Sequence, residues 1–328
     1  MNVLVVNCGS SSVKVEVLAV DAGSTTPERL FRADVERIGA AATVMRDGAR
    51  QTVSARSHVE AVNHLLDDVT RALAARGARL DAVGHRVVHG GPRFTRPALL
   101  DGPTLDALES LETLAPLHNR PALEGIRACR ERLGPGMPMV AVFDTAFHAS
   151  LPEHAWRYAL PANVADRHAI RRYGFHGTSC RWAILRWAAL TSRPVESVTA
   201  IVLHLGNGCS ATAVRGGRSV DTSMGLTPLE GLVMGTRAGD LDPAVIGHVA
   251  RAEKVSVEEV EHWLNERSGL LGLSGRSRDM RELLAAESHD ARAQLTVSVF
   301  CYRARKYVGG LPGGPRGGRG AHLHRWHR

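Results

Sequence analysis

Four side chains carry the strongest chemical signal in these 328 residues: Arg86, Arg237, His118 and His176. Arg86 stands inside the apolar run Ala82–Val88, where a guanidinium is costly unless an anion pairs with it. A structural ion pair would meet that need, and so would a clamp on a ligand's carboxylate or phosphate. Arg237, in Met234-Gly-Thr-Arg-Ala-Gly-Asp-Leu-Asp-Pro243, is a second candidate clamp, with a surface turn as the alternative. His118 (Ala-Pro-Leu-His-Asn) and His176 (Tyr-Gly-Phe-His-Gly-Thr) lie in short loops with no acid beside either. A lone loop histidine is more often structural. The two together read as hydrogen-bond donors to phosphoryl oxygens more than as metal ligands. Asp144 ends the apolar run Met139–Phe143, a place for a carboxylate that holds Mg²⁺ directly or through water, or for a helix N-cap. Asp279 and Arg281 fit ribose or phosphate contacts, or the exposed charges of a first helical turn.

These residues need elements to aim them, and one element occurs twice. His204-Leu-Gly-Asn-Gly-Cys-Ser210 lies between the strand-like runs Ala200–Leu203 and Ala211–Val214. Its two glycines let backbone N–H groups approach a ligand with no Cβ in the way, as in loops that cradle phosphate. A hairpin with a Gly-Asn-Gly turn is the plainer reading. The start of the chain repeats the pattern: Val3–Val6, the small polar loop Asn7-Cys-Gly-Ser-Ser-Ser12, then Val13–Val20 with Lys14 close behind the loop. Two such units roughly 200 residues apart predict two related domains facing each other across a nucleotide.

The rest of the chain fits an α/β fold of two domains. Ser57 and Glu60 form a capping box, and Val62, Leu65, Leu66, Val69 and Leu73 follow at helical spacing. Asp81–His89 reads as a strand, Asp101–Leu111 as a helix, Leu114–Arg120 as a Pro-containing loop and Pro121–Leu133 as a helix. Thr178–Leu190, Pro243–Glu253, Ser256–Arg267, Arg278–Ala286 and Asp290–Val308 read as further helices. The long stretch Asp221–Asp242 has no regular pattern.

Composition excludes several classes. Apolar content of 44% is ordinary for a globular chain, and no run of about 18 apolar residues offers a membrane span. The N-terminus lacks the basic, apolar and small-residue order of a signal peptide. Five scattered cysteines without metal-ligand spacing predict a cytoplasmic location. The net charge of +8 is almost all arginine, since Lys14, Lys254 and Lys306 are the three lysines. Four arginines fall in the last 18 residues, and no basic stripe is interleaved with aromatics, so no nucleic-acid role is expected.

With its motifs laid in order, the chain resembles the acetate kinase family, within the actin/Hsp70/sugar-kinase fold. The matching segments are Asn7–Lys14, His85-Arg-Val-Val-His-Gly-Gly91, Leu114–Asn119, Phe143-Asp-Thr-Ala-Phe-His148, Tyr173–Thr178, His204–Gly208, Met224–Pro243 and Asp279-Met-Arg281. The resemblance implies two duplicated actin-like (ribonuclease H-like) domains around an interdomain nucleotide cleft: 1–148 for the acyl group and metal, and 149–308 for the nucleotide. It implies the reaction of ATP and acetate to ADP and acetyl phosphate with Mg²⁺ or Mn²⁺, in a homodimer, with propionate or butyrate as alternative acceptors. By the same resemblance Asn7 helps hold the metal–phosphate group, Lys14 lies near the phosphates and Arg86 grips the acetate carboxylate. Asp144 serves the metal and positions the acceptor. His176 and Arg237 stabilise the transferring phosphoryl, with His118 in support. His204, Leu205, Gly206, Asn207 and Gly208 hold ATP phosphates, and Asp279, Met280 and Arg281 reach the nucleoside. Val88, Leu117, Phe175 and Pro228 match the pocket for the acetate methyl.

Residues 309–328 depart from the family pattern as a Gly/Pro/Arg/His string. Read one base forward, the codons of His322-Leu-His-Arg-Trp-His-Arg328 permit Ile-Phe-Thr-Gly-Gly-Ile-Gly, which the family carries further on. The expectation is a frame-disrupted tail that costs the chain part of its adenosine site, a late metal ligand and a closing helix.

Overall fold

Strand alternation decides which side chains the first half of the chain keeps for chemistry. The computed structural model describes residues 1–21, 27–39, 41–46, 48–112, 116–312 and 322–324, with 116–118 and 322–324 described for backbone alone. The fold is α/β. It divides into two units, Met1–Ala146 and Phe147–Arg328.

In the first unit, β1 (Asn2–Gly9), β2 (Ser12–Ala19), β3 (Glu28–Glu36), β4 (Thr43–Arg46), β5 (Ala49–Thr52), β6 (Ala82–Val87), β7 (Ala98–Leu99) and β8 (Met139–Phe143) form one sheet. Its order is β5-β4-β3-β2-β1-β6-β8-β7. Neighbours are antiparallel from β1 to β5, whereas β6 runs parallel to β1 and β8 parallel to β6. Successive strand residues point to opposite faces. Leu4, Val6 and Cys8, Val13, Val15 and Val17, and Met139, Ala141 and Phe143 therefore share one buried face. They pack in a single cluster with residues of helices α1 (His58–Ala74) and α3 (Pro116–Leu133). Each fully buried valine or leucine there contributes about 1.5–3 kcal/mol. The opposite face is left for polar side chains.

Ser57 caps α1, its Oγ accepting from the Glu60 N–H at 3.2 Å, and the five apolar residues read from the sequence are all buried. Asp101 caps α2 (Gly102–Glu109) in the same way. The expected loop over residues 114–120 is corrected by α3, which already begins at Pro116 and carries Pro121 inside it. A proline is well suited to a helix start, where its missing N–H is not needed, so the Pro-rich stretch opens the helix instead of preceding it.

His85 occupies the buried face of β6 and keeps 2% of its surface. Its Nε2 finds no hydrogen-bond partner among the described residues. Burial lowers its pKa from 6.5 to about 4. The folded chain thus keeps the ring neutral while the unfolded chain takes up a proton below pH 6.5. This contribution is fully present above pH 6.5 and fades as pH falls toward 4. Unfolding free energies from urea titrations at pH 7.5 and pH 5 should differ by roughly 2 kcal/mol from this group. His85→Leu should flatten the pH dependence by that amount, and an unchanged slope would refute the assignment.

The second unit opens with two short helices, α4 (Glu153–Trp156) and α5 (Ala162–Arg167), followed by α6 (Gly177–Leu190). Its sheet contains β9 (Ala200–Leu205), β10 (Cys209–Arg215), β11 (Arg218–Thr222) and β12 (His322–His324), ordered β11-β10-β9-β12. β10 is buried from Cys209 to Val214, on both faces, although its residues alternate between apolar and polar in the sequence. α6 packs through Cys180, Ile184 and Ala188 against Val202 and Val214. Then come α7 (Ala244–Glu253), α8 (Val257–Glu266), α9 (Gly269–Ser274), α10 (Met280–Ala286) and α11 (Ala291–Gly310). Val233, Leu270, Leu283, Ala286, Ala293 and Val297 join these last elements in a second cluster. The short elements β7, β11, α4 and α5 were not expected, and neither were α9 and β12. α9 is a single glycine-rich turn-and-a-half without helical periodicity. β12 falls in the string 309–328 and pairs in parallel with β9, His324 opposite His204. The segment 313–321 and residues 325–328 lie outside the described residues. Among the described residues no helix is long and apolar enough to cross a membrane.

Candidate functional site

In the first unit the polar residues meet at the ends of three strands. Asn7 on β1 stands directly opposite Lys14 on β2 and Arg86 on β6, so the three form a row across the sheet face that α1 and α3 leave open. Asp144 follows the last residue of β8 and is anchored by its N–H to the Val87 carbonyl at 3.0 Å. Its carboxylate accepts from Arg86 Nη2 at 2.5 Å and from Arg86 Nε at 3.1 Å. Arg86 Nη1 donates to Asn7 Oδ1 at 3.0 Å. Asp144 keeps 1% of its surface, and its charge raises the Arg86 pKa against the opposing effect of burial. The sequence left Arg86 as ion pair or clamp, and the structure makes it an ion pair that also holds an amide oxygen.

Val88 begins the segment after β6 and is nearly buried. That segment is fixed from two sides: Asn119 exchanges two hydrogen bonds of 3.0 Å with the His89 backbone, and the Gly90 N–H donates to Thr145 Oγ1 at 3.0 Å. In the sequence Asn119 stands in a motif without a role of its own, since nothing local distinguishes it from any other loop asparagine. The side chains of Leu117 and His118 lie outside the described residues.

In the second unit the histidines converge. His204 is a strand residue, near the end of β9, and the loop proper shortens to Gly206-Asn207-Gly208, with Leu205 paired to Cys209. His176 caps α6 with a left-handed backbone, φ 58°, a strained conformation for a non-glycine residue. Its ring stacks on His204 with centroids 4.0 Å apart and planes inclined 21°. A side chain on Gly208 would start 3.3 Å from His176 Nε2 and 3.5 Å from Arg237 Nη1. Glycine is needed here for room, not for an unusual φ. Gly208→Ala is expected to fold normally yet lower kcat on the order of 10- to 100-fold, through displacement of the His176 ring and the Arg237 guanidinium. Circular dichroism with steady-state kinetics checks both halves.

Arg237 reaches that point from the irregular stretch 223–242. Its Nη1 donates to the Pro228 carbonyl at 3.2 Å, and the Gly235 N–H fastens the stretch to the Asn207 carbonyl at 2.9 Å. Burial lowers the Arg237 pKa, with Glu266 opposing. A desolvated guanidinium gains from an anion beside it. The stretch is locked further by residues that sequence reading missed. Arg172 Nη1 donates to the carbonyls of Thr222, Ser223 and Met224 at 3.0, 3.0 and 3.2 Å, and its Nη2 to Glu230 at 2.5 Å. Glu230 also accepts from the Tyr158 hydroxyl. Pro228 and Phe175 are both buried, and Phe175 is held by its carbonyl, which accepts from His148 Nε2 at 2.9 Å.

The nucleoside candidates look different. Asp279 caps α10, accepting from the Arg281 N–H at 2.9 Å, and pairs with the exposed Arg281 side chain at 2.5 Å. Met280 packs against the cluster around Leu283. These contacts are what an ordinary first turn makes, and they carry no ligand signal of their own.

Asn7 and Asp144 offer one amide and one carboxylate oxygen. Such hard donors fit a Mg²⁺ ion that keeps most of its waters and arrives with phosphates. Among the described residues no group of three or more His, Cys, Asp or Glu side chains forms a self-contained metal cage.

Comparison with known proteins follows this geometry. A family model described as the acetokinase family matches residues 2–312. The acetate kinase of Solibacter usitatus is 50% identical over 95% of this chain and 79% of its own length. The crystal structure of Porphyromonas gingivalis acetate kinase superposes with a TM-score of 0.84 at 38% identity, over 94% of this chain and 78% of that one. A propionate kinase structure from Francisella tularensis gives 0.86 at 39% identity, over 94% and 79%.

Proposed function

The chain belongs to the acetokinase family, a family of ATP-dependent phosphotransferases, and from that premise we propose that it transfers the γ-phosphoryl group of ATP to acetate to give acetyl phosphate and ADP. The observation that carries this reading is the convergence of His176 and Arg237 on the space above Gly208. Phosphoryl transfer needs positioning and cationic stabilisation more than covalent chemistry. A carboxylate acceptor is already ionised at pH 7, so no side chain must remove a proton. A carboxylate oxygen of acetate forms a bond to phosphorus as the bond from phosphorus to the bridging oxygen breaks. The bonding pair leaves with ADP, and no proton changes place.

In this reading Arg86 orients the acceptor carboxylate, and Val88, Leu117, Phe175 and Pro228 enclose its methyl group. His176 and Arg237 donate to the equatorial phosphoryl oxygens, with His118 in support, and the backbone of His204–Gly208 and Lys14 hold the remaining phosphates. Asn7 and Asp144 would hold Mg²⁺, which when bound neutralises phosphate charge. Asp279–Arg281 would meet the nucleoside. A cytoplasmic homodimer is proposed from the family alone.

Hydroxamate trapping of acyl phosphate, with acetate, propionate and butyrate as competing acceptors, tests this. Acetate should give the highest kcat/KM. Similarity to the propionate kinase structure, slightly above that for the acetate kinase structure, supports propionate as the second reading, and a propionate optimum would select it. Residues 313–328 follow the end of the family match. We read the Gly/Pro/Arg/His string 309–328 as an out-of-frame stretch, and on that reading the 328-residue chain is expected to turn over slowly. A rate unaffected by restoring the shifted frame would count against this.

A further inference from the structure

The two stacked histidines are each tied down by a serine, and the ties cross. His176, at the start of α6, places Nδ1 3.0 Å from Ser210 Oγ on β10. His204, on β9, places Nδ1 3.0 Å from Ser179 Oγ on α6. Ser210 is the register partner of His204, and Ser179 lies three residues after His176. The helix end and the hairpin are therefore clipped together twice, with the rings stacked between the clips. Both Nε2 atoms face the Gly206–Gly208 loop: they lie 3.6 Å and 3.3 Å from where side chains on Gly206 and Gly208 would begin, His204 against the first and His176 against the second. Ser210 is fully buried, and the left-handed backbone of His176 shows that the surrounding structure enforces the ring's placement.

We propose that Ser210 and Ser179 are positioning residues that donate their hydroxyl protons to Nδ1 of His176 and His204, fixing both imidazoles as Nε2–H donors aimed at phosphoryl oxygens. A serine hydroxyl can donate or accept, so the direction is set by what faces the other nitrogen. At Nε2 a lone pair would confront anionic oxygens, whereas an N–H donates to them. Two imidazolium rings stacked at 4.0 Å, with Arg237 close to His176, would repel one another. Two neutral rings with outward N–H groups deliver two donors without that repulsion. The serine on the far nitrogen selects the tautomer, as groups behind functional histidines commonly do.

This inference rests on the phosphotransfer reading, but its primary readout needs no turnover. Histidine labelled with ¹⁵N in the full 328-residue chain, with His176→Gln and His204→Gln used to assign signals, reports which nitrogen is protonated. Both residues should show protonated Nε2 and bare Nδ1. Ser210→Ala should mix the tautomers of His176 and lower kcat about tenfold, with KM for ATP and acetate within about twofold. Ser179→Ala should do the same to His204, and Ser179→Thr, which keeps the hydroxyl at a half-buried site, should restore it. Protonated Nδ1 in the parent chain, or a Ser210→Ala variant with unchanged tautomer and kcat, would overturn the proposal. Correct tautomers, lost on substitution, in a chain that transfers no phosphoryl group would uphold the positioning role and count against the phosphotransfer reading instead.

Discussion

Replacing Arg237 by leucine should lower kcat about a thousandfold or more while leaving the fold intact. The size follows from the kind of charge removed. A cation held in a desolvated site acts on the transition state without reorganising, and arginines that serve transferring phosphoryl groups contribute on the order of 10³–10⁵ in rate. Arg237 has these properties: burial lowers its pKa, its Nη1 is fixed on the Pro228 carbonyl, and its backbone carbonyl accepts from the Met234 N–H at 3.1 Å. Stability should respond in the opposite sense. Burial disfavours the charged form of this guanidinium, so the fold gains little from carrying it. Arg237→Leu should thus melt no lower than the parent chain, and nucleotide binding measured by calorimetry should weaken far less than kcat. Arg237→Lys should recover little, because an ammonium cannot span two oxygens as the planar fork does. Single-turnover transfer of labelled phosphate extends the comparison to slow rates. A leucine variant within tenfold of the parent would remove Arg237 from the transition state.

The backbone that carries these groups was largely legible because its signals are local. The runs Val3–Val6 and Val13–Val20 announced β1 and β2, and Ser57 with Glu60 marked the start of α1 to the residue. The paired strand–loop–strand units also stood out, although the structure extends β1 to Gly9 and leaves two residues, Ser10 and Ser11, as the loop. What escaped was set by distant partners. Arg172 meets Glu230 across 58 residues and Tyr158 meets it across 72, and no spacing rule links them. Ser210 and Ser179 look like any strand and helix serine until a histidine is placed on each. The left-handed turn at His176 has no local marker beyond its glycine neighbours, because it is enforced by packing and not by propensity. α9 escaped for the same reason: Gly269-Leu-Leu-Gly-Leu-Ser is a poor helix former, held by Leu270 in the cluster with Val233 and Leu283.

Arg86 offers a test in which stability and activity separate. Arg86→Leu removes the guanidinium that Asp144 faces at 2.5 Å, and Asp144 keeps 2% of its side-chain surface. Leaving a buried carboxylate without its cation costs about 3–5 kcal/mol in general. The lower end applies here, since the Arg86 side chain keeps 35% of its surface and water already screens part of the pair. Asp144→Asn alone should be milder for the fold, because Arg86 can still reach water and Asn7 Oδ1. The double variant Arg86→Leu with Asp144→Asn should then regain most of the stability lost by Arg86→Leu, as a neutral amide tolerates the apolar neighbour far better than a carboxylate does. Activity should not return. The acceptor carboxylate loses its clamp in both variants, and the oxygen pair that suits a hydrated Mg²⁺ is reduced to two amides. Urea unfolding would show a coupling energy of about 2 kcal/mol or more between the two sites, while kcat/KM for acetate stays at least a hundredfold down in the double variant. Recovery of activity together with stability would mean that the pair serves the sheet alone, and that the acceptor is held elsewhere.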